Sequence, residues 1–302
     1  MTATAVGKRR ENGLPKAVDL YCGCGGLSCG LREAGFEVIA GADVEPRYAG
    51  SFARNFPGAA TIIADLSKSE PAAVLEQVGL EPGELDLLAG GPPCQGFSKN
   101  VPRRERFLEQ DDNIQVSTFL NYAEAWMPRF IIMENVAEMR NGFERAYSEE
   151  VTDRLAALGY DVDHAVLNSA DFGVPQRRRR AFFVAARDSL RPALPRPTHA
   201  AEAGPALFDL PRHVTVWEAI GDLPSLLHGE GIDPVEYDGE ARTAFQRWAR
   251  GNGSMVRNHV ARRLEATQLA RLASLKPGEG LKQLPEALKV RSGYSGAYGR
   301  LT

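Results

Sequence analysis

Between residues 17 and 190, short apolar runs alternate with stretches of helical spacing. The runs at 17–21, 37–42, 61–64, 85–89 and 129–133 are too short for buried helices and rich in Val, Ile, Leu and Ala. That combination predicts strands buried on both faces. Helical spacing follows at 27–34, 46–55, 71–78, 115–126 and 144–158, with Pro46 at a helix start, where its missing N–H costs nothing, and Gly159 at a helix end. Two further strands are expected at 160–167 and 181–186. Such alternation predicts an α/β domain with a doubly wound, mostly parallel sheet and helices on both faces.

The pattern changes after Arg187. Residues 191–211, rich in Pro and Ala, read as a linker; beyond it only 214–220 and 260–275 carry helical spacing in a Gly-punctuated region. The expected organisation is a tail (1–16), a catalytic, ligand-binding domain (17–190) and a smaller irregular region (191–302). The tail has no apolar core of a secretory signal, and no run approaches the roughly 20 apolar residues that span a bilayer, so a cytoplasmic protein without membrane contact is expected. A net charge of only −3 over 302 residues excludes a strongly charged disordered chain. It also hides an asymmetry: from Arg242 onward twelve Lys and Arg face three Glu. A segregated basic part suggests a polyanion partner, although a solvated Arg-rich face would give the same count.

Candidate chemistry gathers at the strand ends. The first turn, Asp19-Leu20-Tyr21-Cys22-Gly23-Cys24-Gly25-Gly26, lets a ligand approach the backbone and leads into a helix N-terminus. Its spacing is not the dinucleotide Gly-x-Gly-x-x-Gly. Asp43 ends the second strand, where a carboxylate can accept from ribose hydroxyls, and Asp65 follows the third. Acids at three successive strand ends favour an adenosine-bearing cofactor. Of the four cysteines, Cys22, Cys24 and Cys29 lack the fourth ligand of a closed zinc site and form no disulfide framework, so no metal is expected. Cys94 differs. It follows the fourth strand in Gly90-Gly91-Pro92-Pro93-Cys94-Gln95-Gly96, a stiff approach with a free exit, and the cations of Lys99, Arg103, Arg104 and Arg106 come next, favouring a thiolate. Glu134-Asn135-Val136 ends the fifth strand. Gln176-Arg177-Arg178-Arg179-Arg180 precedes the last one, with Arg178 and Arg180 on one side by alternation.

This ordered set, Asp19-x-Tyr21-x-Gly23-x-Gly25-Gly26, Asp43, Asp65-Leu66, Pro93-Cys94-Gln95, Glu134-Asn135-Val136 and Gln176-x-Arg178-x-Arg180, resembles the cytosine-5 DNA methyltransferases of bacteria. The resemblance implies the S-adenosylmethionine-dependent methyltransferase fold with a target-recognition domain, duplex DNA as partner and S-adenosylmethionine as cofactor. It implies that Cys94 adds to carbon 6 of a flipped-out cytosine, Glu134 holds or protonates ring nitrogen 3, and Arg180, supported by Arg178, bonds the base carbonyl and Glu134. For the cofactor it implies Tyr21, Cys24, Gly25 and Gly26 around the methionine end, Asp43 on the ribose, Val44 against adenine, Asp65 on its amino group, and Leu66 and Pro93 nearby. Family members continue through a further motif and a closing helix, so a downstream segment or a second polypeptide is expected to complete the fold. Two alternatives stay open here: a tRNA cytosine-5 methyltransferase, which shares the catalytic set, and an inactive fragment that only binds DNA.

Overall fold

The computed structural model describes residues 13–93, 114–141, 146–201, 210–276 and 279–289. They divide into two compact units. The first holds the described residues up to Asn168 together with Arg178–Arg196; the second holds Ser169–Arg177 and the described residues from Pro197 onward. The 191–211 segment is thus shared: Leu194 N–H donates to Asp163 Oδ2 within the first unit, whereas Ala200 forms a bridge with Arg212 in the second.

The first unit is built on a seven-stranded sheet: β1 (Lys16–Leu20), β2 (Glu37–Asp43), β3 (Ala60–Ile63), β4 (Leu87–Gly90), β5 (Phe130–Val136), β6 (Asp161–Asn168) and β7 (Arg179–Ala186). Their order is β3-β2-β1-β4-β5-β7-β6. Every neighbouring pair is parallel except those of β7, which runs antiparallel to β5 and β6. The chain builds outward from β1 in one direction, then returns to add β4 on its other side. The carboxyl ends of β1 and β4 therefore flank the switch point where open α/β sheets bind ligands.

Helices α1 (Gly26–Glu33), α2 (Pro46–Asn55), α3 (Pro71–Gln77), α4 (Ile114–Trp126), α5 (Ala137–Asn141) and α6 (Ala146–Ala157) complete this unit. Strand residues alternate between its two faces. Val18, Leu20 and Leu88 pack into the large core with Phe119, Leu120, Ala123 and Trp126 of α4, while Ala17, Leu87 and Ala89 pack with Leu31 of α1. Both faces are covered, which is why these strands read as continuous apolar runs. Buried polar atoms find partners: the Trp126 indole donates to the Pro71 carbonyl at 2.7 Å, and the Tyr160 hydroxyl donates to Pro128.

The second unit carries α7 (Val216–Ile220), α8 (Ala244–Arg250), α9 (Ala266–Ala273) and the paired two-residue strands β8 (Val235–Glu236) and β9 (Met255–Val256). Reciprocal capping boxes of Thr215 with Glu218 and Thr243 with Gln246 start α7 and α8, satisfying helix-end N–H groups. The helix expected over 260–275 begins only at Ala266. Val260 and Ala261 are committed to bonds with Gly231 and Glu230, and Glu265 then starts the helix by pairing with Gln268. Helices α5 and α8 and the β8–β9 pair were not anticipated in the sequence. Among the described residues, no helix is long and apolar enough to cross a membrane.

Gly41, in the middle of β2, lets α2 lie close to the sheet: a Cβ there would come 2.4 Å from the ring of the fully buried Phe52. Gly41→Ala should therefore destabilise the protein by about 1–3 kcal/mol through overpacking. Urea unfolding should show the lower midpoint with an unchanged slope, and an unaltered midpoint would contradict this packing.

Candidate active site

The loop from β1 to α1 is shaped by acids at the ends of β1 and β2. Asp19 is 1% exposed, and its Oδ2 accepts both the N–H and the hydroxyl of Ser28 in α1. Burial pushes its carboxyl up to about 6, against the opposing pull of Ser28. Asp19 is thus committed to joining strand and helix, and of the three strand-end acids it is the buried one. Asp43 accepts the Gly23 N–H on one oxygen and the Glu45 N–H on the other, both at 2.9 Å. Each carboxylate oxygen retains a further acceptor site, so this carboxylate can shape the loop and still receive a hydroxyl. Asp65 is held in a tight turn by the Ser67 N–H and hydroxyl and pairs with Lys68 at 2.9 Å. These partners hold it below its ordinary value, Ser67 contributing most.

The glycines in the loop have different roles. Gly23 and Gly25 adopt φ of 56° and 91°, in the left-handed region that favours glycine. At Gly25 a Cβ would also meet the Phe56 ring at 2.4 Å, whereas nothing lies within 4 Å of a Cβ at Gly23 or Gly26. The loop thus packs inward at Gly25 and leaves open space over Gly23 and Gly26, at the start of α1. Cys24 is exposed, and its carbonyl accepts from Asn55 of α2 at 2.8 Å. Val44, beside Asp43, is 64% exposed, an apolar surface next to the open loop. Tyr21 also sits in the left-handed region, at φ 60°; its hydroxyl donates to Gln115 Oε1 of α4 at 2.9 Å. The side chain of Leu66, after Asp65, is buried in the large core, which leaves its backbone at the loop. Cys22 is buried, and desolvation pushes its thiol up to about 12, the behaviour of a small apolar filler.

The second group lies across the switch point. At the end of β5, Glu134 and Arg180 of β7 form an ion pair at 2.9 Å, both side chains about three-quarters buried. Antiparallel pairing produces this contact: Arg180 stands opposite Val136 and Phe182 opposite Glu134, so the start of β7 meets the carboxyl end of β5. Desolvation raises the Glu134 carboxyl above its ordinary value, with Arg180 and then Arg178 acting against it. Arg178 precedes β7 and contributes through its charge. Gly91 stands close by, a Cβ there lying 3.4 Å from Glu134 Oε2, and Pro93 is exposed. Cys94 and the 94–113 segment lie outside the described residues.

Ser28 and Gln115 went unnoticed in the sequence, and Asn135, named there within Glu134-Asn135-Val136, was given no role. Asn135, 3% exposed, donates through Nδ2 to the Pro92 carbonyl at 3.1 Å and accepts the Val136 N–H at 2.8 Å, tying β5 to the approach to Cys94. Ser28 and Gln115 complete the bonds of Asp19 and Tyr21. Asn135 was visible as part of the polar end of an apolar strand; Ser28 and Gln115 are legible only from their partners.

A sequence profile described as C-5 cytosine-specific DNA methylase matches residues 15–230. The chain is 33% identical over 287 residues to the Type II methyltransferase M.AgeI of Thalassovita gelatinovora, covering 90% of this chain and 66% of that protein. It is 30% identical over 276 residues to the Type II methyltransferase M1.HphI of Haemophilus parahaemolyticus, covering 91% and 65% respectively. The chain thus spans just under two thirds of the length of these relatives. A crystal structure of a DNA modification methyltransferase encoded within an E. coli prophage shares the fold, with a TM-score of 0.67 at 23% identity, covering 88% of this chain and 76% of that one.

Asp19 generates a pH prediction. Its native carboxyl, at about 6, holds its proton longer than the unfolded chain does, where the ordinary value is near 4. Its stability contribution is therefore complete below about pH 4 and is lost as pH rises through about 6, amounting at most to about 3 kcal/mol. Wild type should lose stability relative to Asp19→Asn over that window in paired denaturant titrations, whereas a difference independent of pH would contradict the assignment.

Proposed function

Because the chain belongs to the C-5 cytosine-specific DNA methylase family, we propose that it transfers a methyl group from S-adenosylmethionine to carbon 5 of a cytosine in duplex DNA. The observation that carries this reading is the Glu134–Arg180 pair, held at the carboxyl edge beside Gly91 and the Asn135–Pro92 bond that leads to Cys94.

The chain's residues fit the cofactor. Gly23 and Gly26 leave space that a Cβ would fill, Val44 offers apolar surface for a purine, and Asp43 keeps acceptor capacity for ribose hydroxyls. Tyr21, Cys24 and Gly25 frame the loop toward the methionine end; Asp65, the Leu66 backbone and Pro93 border the adenine side. When bound, S-adenosylmethionine supplies an electrophilic methyl group.

The protein's task is to make carbon 5 of the pyrimidine nucleophilic. Extruding the base from the duplex brings it to the carboxyl edge of the sheet. The Cys94 thiolate forms a bond to carbon 6, and the displaced π electrons move toward carbon 5 and ring nitrogen 3. Glu134, kept above the ordinary carboxylate range by burial, delivers a proton to nitrogen 3 as that charge builds. Arg180, with Nε on Glu134 and further donors to spare, orients the carboxyl and bonds the base carbonyl; Arg178 adds positive charge. After methylation, loss of the carbon 5 proton restores the double bond and expels the Cys94 thiolate.

Cys94→Ser should abolish methyl transfer while leaving S-adenosylmethionine affinity intact. Duplex DNA carrying 5-fluorocytosine should trap a covalent adduct with wild type only, because fluorine blocks the final proton loss. Glu134→Gln should slow transfer by about 10²- to 10⁴-fold, the range for a positioned acid or base. An adduct with Cys94→Ser, or methylation of tRNA in preference to duplex DNA, would refute the proposal.

A further inference from the structure

The peptide that joins Cys24 to Gly25 sits in the middle of the loop between β1 and α1, and its two polar ends are held from different places. Its N–H, from Gly25, donates to the Cys22 carbonyl at 2.8 Å and closes a turn within the loop. Its carbonyl, from Cys24, accepts from Asn55 Nδ2 at 2.8 Å, a partner outside the loop at the last residue of α2. Among the described residues, Asn55 is the one side chain bonded to this peptide. Gly23 and Gly25 stand on either side of Cys24, both in the left-handed region. Gly25 has no Cβ to resist rotation, so the peptide can turn over at small steric cost. Turning it over would set the Cys24 carbonyl against that of Cys22, break the turn and change which polar groups the loop presents.

The turn that carries Asn55 is itself fixed. Phe52 is fully buried and stacks on Phe56 with ring centroids 4.9 Å apart. Phe56 closes against Gly25, where a Cβ would come 2.4 Å from its ring. From the last turn of α1, Arg32 donates to the Asn55 carbonyl at 3.3 Å and stands 4.8 Å over the Phe56 ring, a cation–π arrangement. The aromatic pair supports the loop by contact, and contact does not decide which way a peptide faces. The Asn55 amide does decide it, because a hydrogen bond weakens steeply away from its preferred angle. Asn55 is exposed, so this bond competes with water and its loss costs a moderate factor.

We propose that Asn55 is a positioning residue for the cofactor: by keeping the Cys24 carbonyl turned toward α2, it fixes the part of the loop that receives the amino-acid end of S-adenosylmethionine. The inference rests on the reading above that S-adenosylmethionine is the cofactor, and adds to it a residue that acts through the loop backbone. Its reach is local. The acids assigned to the adenosine half have their own supports: Asp43 takes the Gly23 and Glu45 N–H groups, and Asp65 takes Ser67 and pairs with Lys68. Losing the Asn55 bond leaves both in place.

Calorimetry on the 302-residue chain tests this with two probes, S-adenosylmethionine and methylthioadenosine, which keeps the adenosine and lacks the amino acid. Asn55→Ala should bind S-adenosylmethionine about three- to tenfold more weakly, the worth of one hydrogen bond, and bind methylthioadenosine as wild type does. Asn55→Asp keeps the size and loses the donor, so it should lose as much. The ratio of the two affinities is read on folded protein alone, so a lower stability in either variant leaves the test intact. Wild-type affinity for S-adenosylmethionine in Asn55→Ala or Asn55→Asp would overturn the positioning role and leave the methylation proposal standing. Equal losses for both probes would also overturn it, since a general loosening of the unit weakens both halves of the site alike. A wild-type chain that binds neither probe would remove the cofactor reading and this inference together.

Discussion

The carboxylate of Asp43 is the constraint on which the loops after β1 and β2 depend. One oxygen takes the Gly23 N–H from the loop after β1, and the other takes the Glu45 N–H at the entry to α2. Two connections from neighbouring strands are thereby tied to one charged acceptor, and hydrogen bonds to charged groups are worth more than neutral ones. Asp19 does the matching work one strand away, taking both donors of Ser28. Together these acids turn a Gly-rich segment, otherwise costly in entropy to order, into a fixed ledge at the switch point.

Across the switch point, the same problem is solved with an amide and an ion pair. Asn135 joins the end of β5 to the Pro92 carbonyl, and Pro92-Pro93 can adopt few other conformations. Glu134 on the same strand end is drawn out of water and kept there by Arg180. A partly buried carboxylate without such a cation would be expensive. Burial nevertheless holds the carboxyl above its ordinary value, against the pull of Arg180 and Arg178. The proposed chemistry thus draws on the same pair of side chains that orders this strand end.

The second unit follows a different economy. It has little regular structure, and its order comes from local devices: capping boxes on α7 and α8, the Asp222–Arg250 pair with Arg250 stacked 3.8 Å over the Tyr237 ring, and the β8–β9 pair with the bridge of Gly231 to Val260. Asp233 and Glu230 accept backbone N–H groups, while Glu218 and Asp222 pair with Arg212 and Arg250.

By itself the sequence determined what depends on local pattern. Strands such as Leu87–Gly90 are apolar throughout because both faces are covered, and α2 spans Pro46–Asn55 as predicted because Pro46 suits only a helix start. Acids at strand ends, the Gly-rich turn and the Glu134-Asn135 pair were visible for the same reason: each is a residue type placed at an element boundary. What tertiary structure alone decided is direction, register and partner. Nothing in residues 179–186 states that β7 runs antiparallel; had it run parallel, Arg180 would lie at the far edge of the sheet from Glu134. Asp19 and Asp43 look alike in the sequence, yet burial against Ser28 commits one to structure while the other keeps acceptor capacity. The β8–β9 pair was illegible because it joins residues on either side of α8. Periodicity reports which face of one element is buried. It carries no information about which distant backbone completes its hydrogen bonds.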